Sequence, residues 1–111
     1  MKVDNNNFEP VFVHTVFFWL KNPDRAEDRE AFVVSLRKFL NASKYAHTNF
    51  IGTPPKATRD VVDGSFTFSL LVSFTSVENQ NKYQAEDVHL TFIDEASHLW
   101  DKVVVYDSNE V

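Results

Sequence analysis

His89, Tyr83 and His14 are the side chains of this chain best suited to moving a proton on a small molecule. An imidazole can act as base or acid near neutral pH, and a phenol can donate to a carbonyl oxygen. His89 falls on the inward stripe near the start of a predicted helix, where the positive dipole end favours the neutral ring that a general base needs. The same place also suits a structural histidine bonded to a carbonyl or to Tyr83. His14 sits among Phe12, Val16 and Phe18 on a predicted strand. Burying an imidazole there costs free energy unless it finds a partner, so it is read either as a pocket residue or as a buried hydrogen-bonding one. Tyr83 either orients His89, donates to a substrate oxygen, or packs with its hydroxyl outward. Glu86 and His89 lie one helical turn apart, but bundle metal sites need two such pairs and further carboxylates, so no metal is assigned. His47 and His98 read as surface residues, and Arg59 with Asp60 and Asp63 as ion pairs ordering a loop.

Composition narrows what these groups could serve. With 111 residues the chain is one domain, large enough for a real core. Cysteine is absent, which excludes disulfides, thiol nucleophiles and cysteine-held metals. Two glycines, Gly52 and Gly64, cannot build a phosphate loop or a dinucleotide fingerprint, and no cofactor is assigned. A net charge of −5 argues against nucleic acid and anionic membrane as partners. The apolar run Val11–Leu20 is about half a membrane span, and the polar start lacks a signal pattern. A cytoplasmic protein is expected, with residues 1–10 a frayed tail and 11–108 the domain.

The candidates must be positioned by ordinary elements. Val11–Leu20 reads as a strand with two apolar faces, Phe12, His14, Val16, Phe18 and Leu20 on one and Val11, Val13, Thr15, Phe17 and Trp19 on the other. Asn22-Pro23 supplies an N-cap and a first-turn proline for an amphipathic helix through Phe32, Leu36, Phe39 and Leu40, ending near Asn41. Tyr45–Ile51 is a weaker strand, stopped by Gly52-Thr53-Pro54-Pro55 and followed by a long aperiodic stretch to Ser65. Phe66–Phe74 alternates strictly, with Phe66, Phe68, Leu70, Val72 and Phe74 on one side. Ser76 caps a short helix to about Gln84, and Asp87 caps another reaching Trp100. On that last helix His89, Phe92, Ile93, Ala96 and Trp100 face inward, while Asp94, Glu95, Ser97 and His98 face away. Lys102–Tyr106 closes the chain as a strand.

This order, strand-helix-strand-strand-helix-strand, is α+β and ferredoxin-like: βαββαβ with a four-stranded antiparallel sheet and helices on one face. The helices cover one face only, so Val13, Phe17, Trp19 and Leu71 are left on the other. Such a patch exceeds what monomers usually expose. A homodimer joined through its sheet faces, a dimeric α/β barrel, resolves the excess of eleven phenylalanines, two tryptophans and three tyrosines. The rest of the aromatics could line an apolar cavity between helices and sheet, with Val16, Phe32, Phe68, Leu70 and Phe92 as its walls and Phe39 beside them.

From Phe12 to Ser108 the chain resembles the stress-responsive A/B barrel (Dabb) domain family. The stretches that carry the likeness are Val13-His14-Thr15-Val16-Phe17, Gly52-Thr53-Pro54, Phe74-Thr75-Ser76-Val77-Glu78, Tyr83 to His89, Phe92-Ile93 and Trp100-Asp101-Lys102-Val103. The resemblance implies a dimeric barrel; plant members include stress-induced proteins and a cofactor-free cyclase that closes an aromatic ring. Tyr83 and His89 match the two residues that act on substrate in that branch, and His14 matches a pocket histidine. Family members often carry His-Pro-x-His ending at His89, whereas Glu86 and Asp87 stand here, and Phe68 replaces a further pocket histidine. The expectation is a small protein that binds a hydrophobic or aromatic molecule, with His89 removing a proton while Tyr83 or His14 polarises or protonates oxygen. The alternatives are a non-catalytic, stress-protective oligomer and, with no identifiable haem-ligand pattern, a monooxygenase of a related barrel.

Overall fold

A computed structural model describes residues 10–56 and 59–111. The expected tail falls almost wholly outside these residues. The elements run β1 (Phe12–Leu20), α1 (Ala26–Ala42), β2 (Thr48–Gly52), β3 (Phe68–Phe74), α2 (Val77–Ala85), α3 (Asp87–Ala96) and β4 (Trp100–Asn109), with a 3-10 turn at Ser97–Leu99. All strand pairs are antiparallel, in the order β2-β3-β1-β4. This is the ferredoxin-like sheet expected from the element order.

Burial alternates without a break along β1, and Phe12, His14, Val16, Phe18 and Leu20 are its buried face. Against that face α1 lays Phe32, Leu36, Phe39 and Leu40, and α3 lays Phe92 and Ala96. Aromatic rings meet mostly edge to face: Phe32 contacts Phe18, Phe92 and Trp100 in this way and stacks flat on Phe68 at 5.1 Å. A guanidinium, that of Arg29, closes the far side of Phe68 at 4.7 Å. Glu95 does not face away as expected: its carboxylate accepts from Ser35 Oγ at 2.9 Å and Lys38 Nζ at 2.8 Å, clipping α3 to α1.

Several boundaries differ from the sequence reading, each for a local reason. Asn22-Pro23 does not start α1. Residues 22–25 close a turn through Arg25 N–H to the Asn22 carbonyl at 3.1 Å, and the helix begins at Ala26. β2 starts at Thr48 rather than Tyr45, because the Tyr45 and Ala46 N–H groups turn back onto Ser43 Oγ. β3 starts at Phe68, so Phe66 escapes the expected alternation and packs on Phe17 at 4.9 Å on the opposite face. Thr67 is buried instead, its hydroxyl accepting from Leu20 N–H at 3.0 Å. Asp87 is the first residue of α3, not its cap; Glu86 holds that place. Trp100 belongs to β4, which runs to Asn109 and pairs with the whole of β1.

The second sheet face carries Val13, Phe17, Trp19, Leu71 and Val104, all half-buried, with Phe50 61% and Tyr106 64% exposed at its flanks. Register places Phe50 opposite Leu71, Leu71 opposite Thr15 and Thr15 opposite Tyr106, one row across all four strands that is apolar but for Thr15. Removing a ring from the other face should be costly. Phe32→Ala should lower unfolding free energy by about 3–5 kcal/mol in a denaturant titration, whereas Arg37→Ala on the exposed side of α1 should stay within about 0.5 kcal/mol.

Candidate functional site

The β1 alternation turns His14 toward the helices, and β4 lies beside it in a register that sets Asp107 directly opposite. His14 Nδ1 donates to Asp107 Oδ1 at 2.7 Å. A proton held at Nδ1 leaves Nε2 as the lone-pair nitrogen of the neutral ring, the tautomer of a base oriented by a carboxylate. This pair brings together residues 93 positions apart in the chain.

Tyr83 comes from the last turn of α2, a helix capped by Ser76 Oγ accepting from Asn79 N–H at 3.0 Å. It is 1% exposed and stands between two imidazoles, its ring 5.9 Å from that of His14 and 5.6 Å from that of His89. Burial, then the nearby Glu86 carboxylate, push its phenol above the ordinary tyrosine range, so it stays protonated and able to donate. His89 sits in the first turn of α3, edge-on to Phe39 at 5.3 Å. Burial and the neighbouring His14 depress its pKa, against a smaller opposing pull from Glu86. Its Nδ1 is buried and has no hydrogen-bond partner among the described residues. An imidazole nitrogen in that condition carries an unpaid desolvation penalty that a ligand's polar atom could relieve.

These groups share one cavity of about 230 Å3 between the helices and the β1–β4 half of the sheet. His14, Tyr83, His89 and Asp107, with the Gln84 amide, supply its polar groups; Val16, Phe18, Phe39, Leu70, Phe92 and Trp100 line its apolar part. Ile93, Val103 and Val105 complete the lining. Of the residues expected to form a pocket, Val16, Leu70 and Phe92 line it. Phe32 and Phe68 do not. They are stacked on each other deeper in the core, where Phe18 and Arg29 fill the remaining space. The Glu86 carboxylate is occupied by Ser43 Oγ and Lys44 N–H, and among the described residues no three His, Asp or Glu side chains gather as a metal site would need.

Asp107, Gln84, Val103 and Val105 were not read from the sequence as site residues. Asp107-Ser108-Asn109 has the composition of a strand end, so the pattern closed the last strand at Tyr106. The signal that could have found Asp107 was His14 itself, a buried imidazole in need of a partner on an adjacent strand.

Fold and site together define a small ferredoxin-like α+β protein with a polar cluster in a largely apolar cavity. The family model for the stress responsive A/B barrel domain matches residues 12–110, and the chain belongs to that family. Among solved structures it is similar to a hydroxynitrile lyase from Passiflora edulis, at 23% identity and a TM-score of 0.75, covering 93% of this chain and 96% of that one. A Dabb family protein from Mesorhizobium loti with a ferredoxin-like fold gives a TM-score of 0.76 at 18% identity, over 93% and 99% of the two chains. A dimeric ferredoxin-like protein of unknown function from Thermobifida fusca gives 0.71 at 14% identity, over 89% and 90%. No curated protein matches the chain by sequence. No helix among the described residues is long and apolar enough to cross a membrane.

The lowered pKa of His89 has a sign that can be checked. The unfolded ring binds its proton near 6.5 and the folded ring only at lower pH. Stability is therefore full above about pH 6.5 and declines as pH falls from there through the folded value. His89→Leu should flatten that decline in urea midpoints measured from pH 7 downward, and should leave stability at neutral pH unchanged or higher.

Proposed function

We propose that this protein binds a small, largely apolar carbonyl compound and moves a proton on it without a cofactor. The observation that carries this reading is the His14–Asp107 pair, which shares one cavity with Tyr83 and the His89 ring. A base needs a fixed tautomer, and an enolate oxygen needs a donor that does not ionise. In the proposed step His14 Nε2 takes a proton from the carbon next to the carbonyl. The C–H electron pair forms the new carbon–carbon double bond, the carbonyl π pair moves onto oxygen, and the proton stays on His14 beside Asp107, while Tyr83 O–H or the His89 ring hydrogen-bonds the enolate oxygen. Carbon–carbon bond formation or cleavage can follow from that enolate. The residues differ in role from the sequence expectation, which gave the base to His89; the carboxylate partner favours His14.

The cavity sets the size of the part of a ligand it can enclose. An engineered protein cavity of about 150 Å3 takes benzene, so 230 Å3 suits one ring with a short substituent. A hydroxynitrile lyase of similar fold supports chemistry on a small molecule in this architecture. Two copies joined through the second sheet face complete the proposal, since Phe17, Trp19, Leu71 and Tyr106 otherwise meet water. The Thermobifida protein of similar fold is described as dimeric, which supports a dimer.

One-ring ketones and aldehydes incubated with the protein in D2O test the chemistry. Wild type should exchange the proton next to the carbonyl, followed by NMR, and His14→Ala should slow exchange by about 10²–10⁴-fold with the fold intact. No exchange and no ligand-induced shift for any compound would leave the non-catalytic oligomer as the reading. For the dimer, light scattering should give about twice the chain mass of 12.8 kDa. Leu71→Asp should give single chains, because a charge at the centre of a sealed apolar face is left unpaired. A monomer in wild type at micromolar concentration would remove the dimer.

A further inference from the structure

The corner between α2 and α3 is made by a single extended residue, Glu86, with φ −62° and ψ 141°. Its backbone closes both helices: its N–H donates to the Tyr83 carbonyl at 3.3 Å, and its carbonyl accepts from His89 N–H at 3.0 Å and Leu90 N–H at 3.2 Å. Tyr83 stands three residues before it and His89 three after, so the two cavity groups hang from this corner. The side chain reaches elsewhere. One carboxylate oxygen accepts from Ser43 Oγ at 2.6 Å, and the other from Lys44 N–H at 2.9 Å. Ser43 caps α1, its N–H donating to the Phe39 carbonyl at 2.9 Å, and Phe39 is the α1 ring that packs on Tyr83, His89 and Phe92.

We propose that Glu86 is a positioning residue for the Tyr83–His89 pair: its carboxylate clasps the α2–α3 corner to the exit of α1 and so fixes where both rings stand relative to His14. Without the clasp, the corner is one extended residue between two short helices, of 9 and 10 residues, held to α1 by ring packing and, at the other end of α3, by the Glu95 contacts to Ser35 and Lys38. Charge-assisted bonds of this length are the stronger kind, and two of them on one carboxylate define an orientation as well as a distance. The titratable groups facing His89 are His14 from β1, Tyr83 from α2, Asp107 from β4 and Glu86 itself. Lys44 and Lys82 lie with Glu86 along an open groove outside the cavity, where the Lys82 ammonium sits over the Tyr45 ring at 5.7 Å.

The role rests on the proposed proton chemistry, yet its test does not require turnover. Glu86→Gln keeps the shape and one acceptor oxygen but removes the charge; Glu86→Ala removes both. By NMR, Glu86→Gln should retain the ring–ring contacts of Tyr83 with His14 and His89 while the His89 titration midpoint falls. Glu86→Ala should lower the midpoint and also weaken or lose those contacts, and should slow ketone proton exchange by about tenfold or more, since small displacements of positioned groups are costly. Ser43→Ala, which removes the shorter bond together with the Tyr45 and Ala46 N–H bonds to the same hydroxyl and keeps the Glu86 charge, should shift the same contacts in the same direction if Glu86→Ala fails to fold. A folded Glu86→Ala, or a folded Ser43→Ala in its place, with wild-type ring contacts would overturn the clasp, whatever the His89 midpoint, because the midpoint falls with the charge alone. Absence of exchange in wild type would instead remove the catalytic reading and leave the NMR result to decide on Glu86.

Discussion

The register between β1 and β4 is the constraint on which the rest depends. A strand has period two, so a slip of one residue would send each side chain of β4 to the opposite face. In the observed register Val103, Val105 and Asp107 stand opposite Phe18, Val16 and His14 on the helix side, and Val104 and Tyr106 stand opposite Phe17 and Thr15 on the other. A shift in the ladder between Trp19 and Leu20 lets Trp100 pair with Leu20 while Lys102 pairs with Trp19. Such an irregularity takes up one extra residue and keeps both ends of the pairing in phase. Trp100 thus stays in the core against Phe18 and Phe92, and Asp107 still meets His14 at the far end.

That pairing divides the aromatic excess of the chain between two tasks. Phe18, Phe32, Phe39, Phe68, Phe74 and Phe92 are buried and close the helix–sheet layer, and the space they leave is small and lined mainly by apolar groups. In such surroundings an imidazole prefers to be neutral and a phenol prefers to keep its proton. Both directions are seen, at His89 and Tyr83. Tyr83 and His89 are therefore pushed toward their uncharged forms by the same packing that holds the fold together. Phe17, Trp19, Phe66 and Tyr106 take the other task, forming an aromatic surface on the second face, with Lys102 over Trp19 at 4.5 Å.

Strand order, the facing of β1 and the inward stripe of α3 were legible because period-two and helical patterns record which side chains are buried. His14 and His89 were legible as candidates for the same reason: each is a polar residue where the pattern calls for an apolar one. Depth was not legible. Nothing in spacing tells that Phe32 and Phe68 stack on each other and fill their own space while Phe92 borders a cavity. Nor was partner choice, since Asp107 looks like the polar end of a strand and Glu86 like the start of a helix. Both find their partners through contacts 93 and 43 residues away in sequence. The misread start of α1 has a similar origin: Asn22-Pro23 is chemically a good helix start, but the turn at residues 22–25 claims it first.

The bond from His14 to Asp107 joins the register to the chemistry, so its direct observation tests the account most sharply. Long-range proton–nitrogen correlation spectra of the histidine rings at neutral pH report which ring nitrogen carries the proton. His14 should be the Nδ1–H tautomer, with a downfield Nδ1 proton that disappears in Asp107→Ala. A His14 ring protonated at Nε2, or one whose signals are the same in Asp107→Ala, would contradict it.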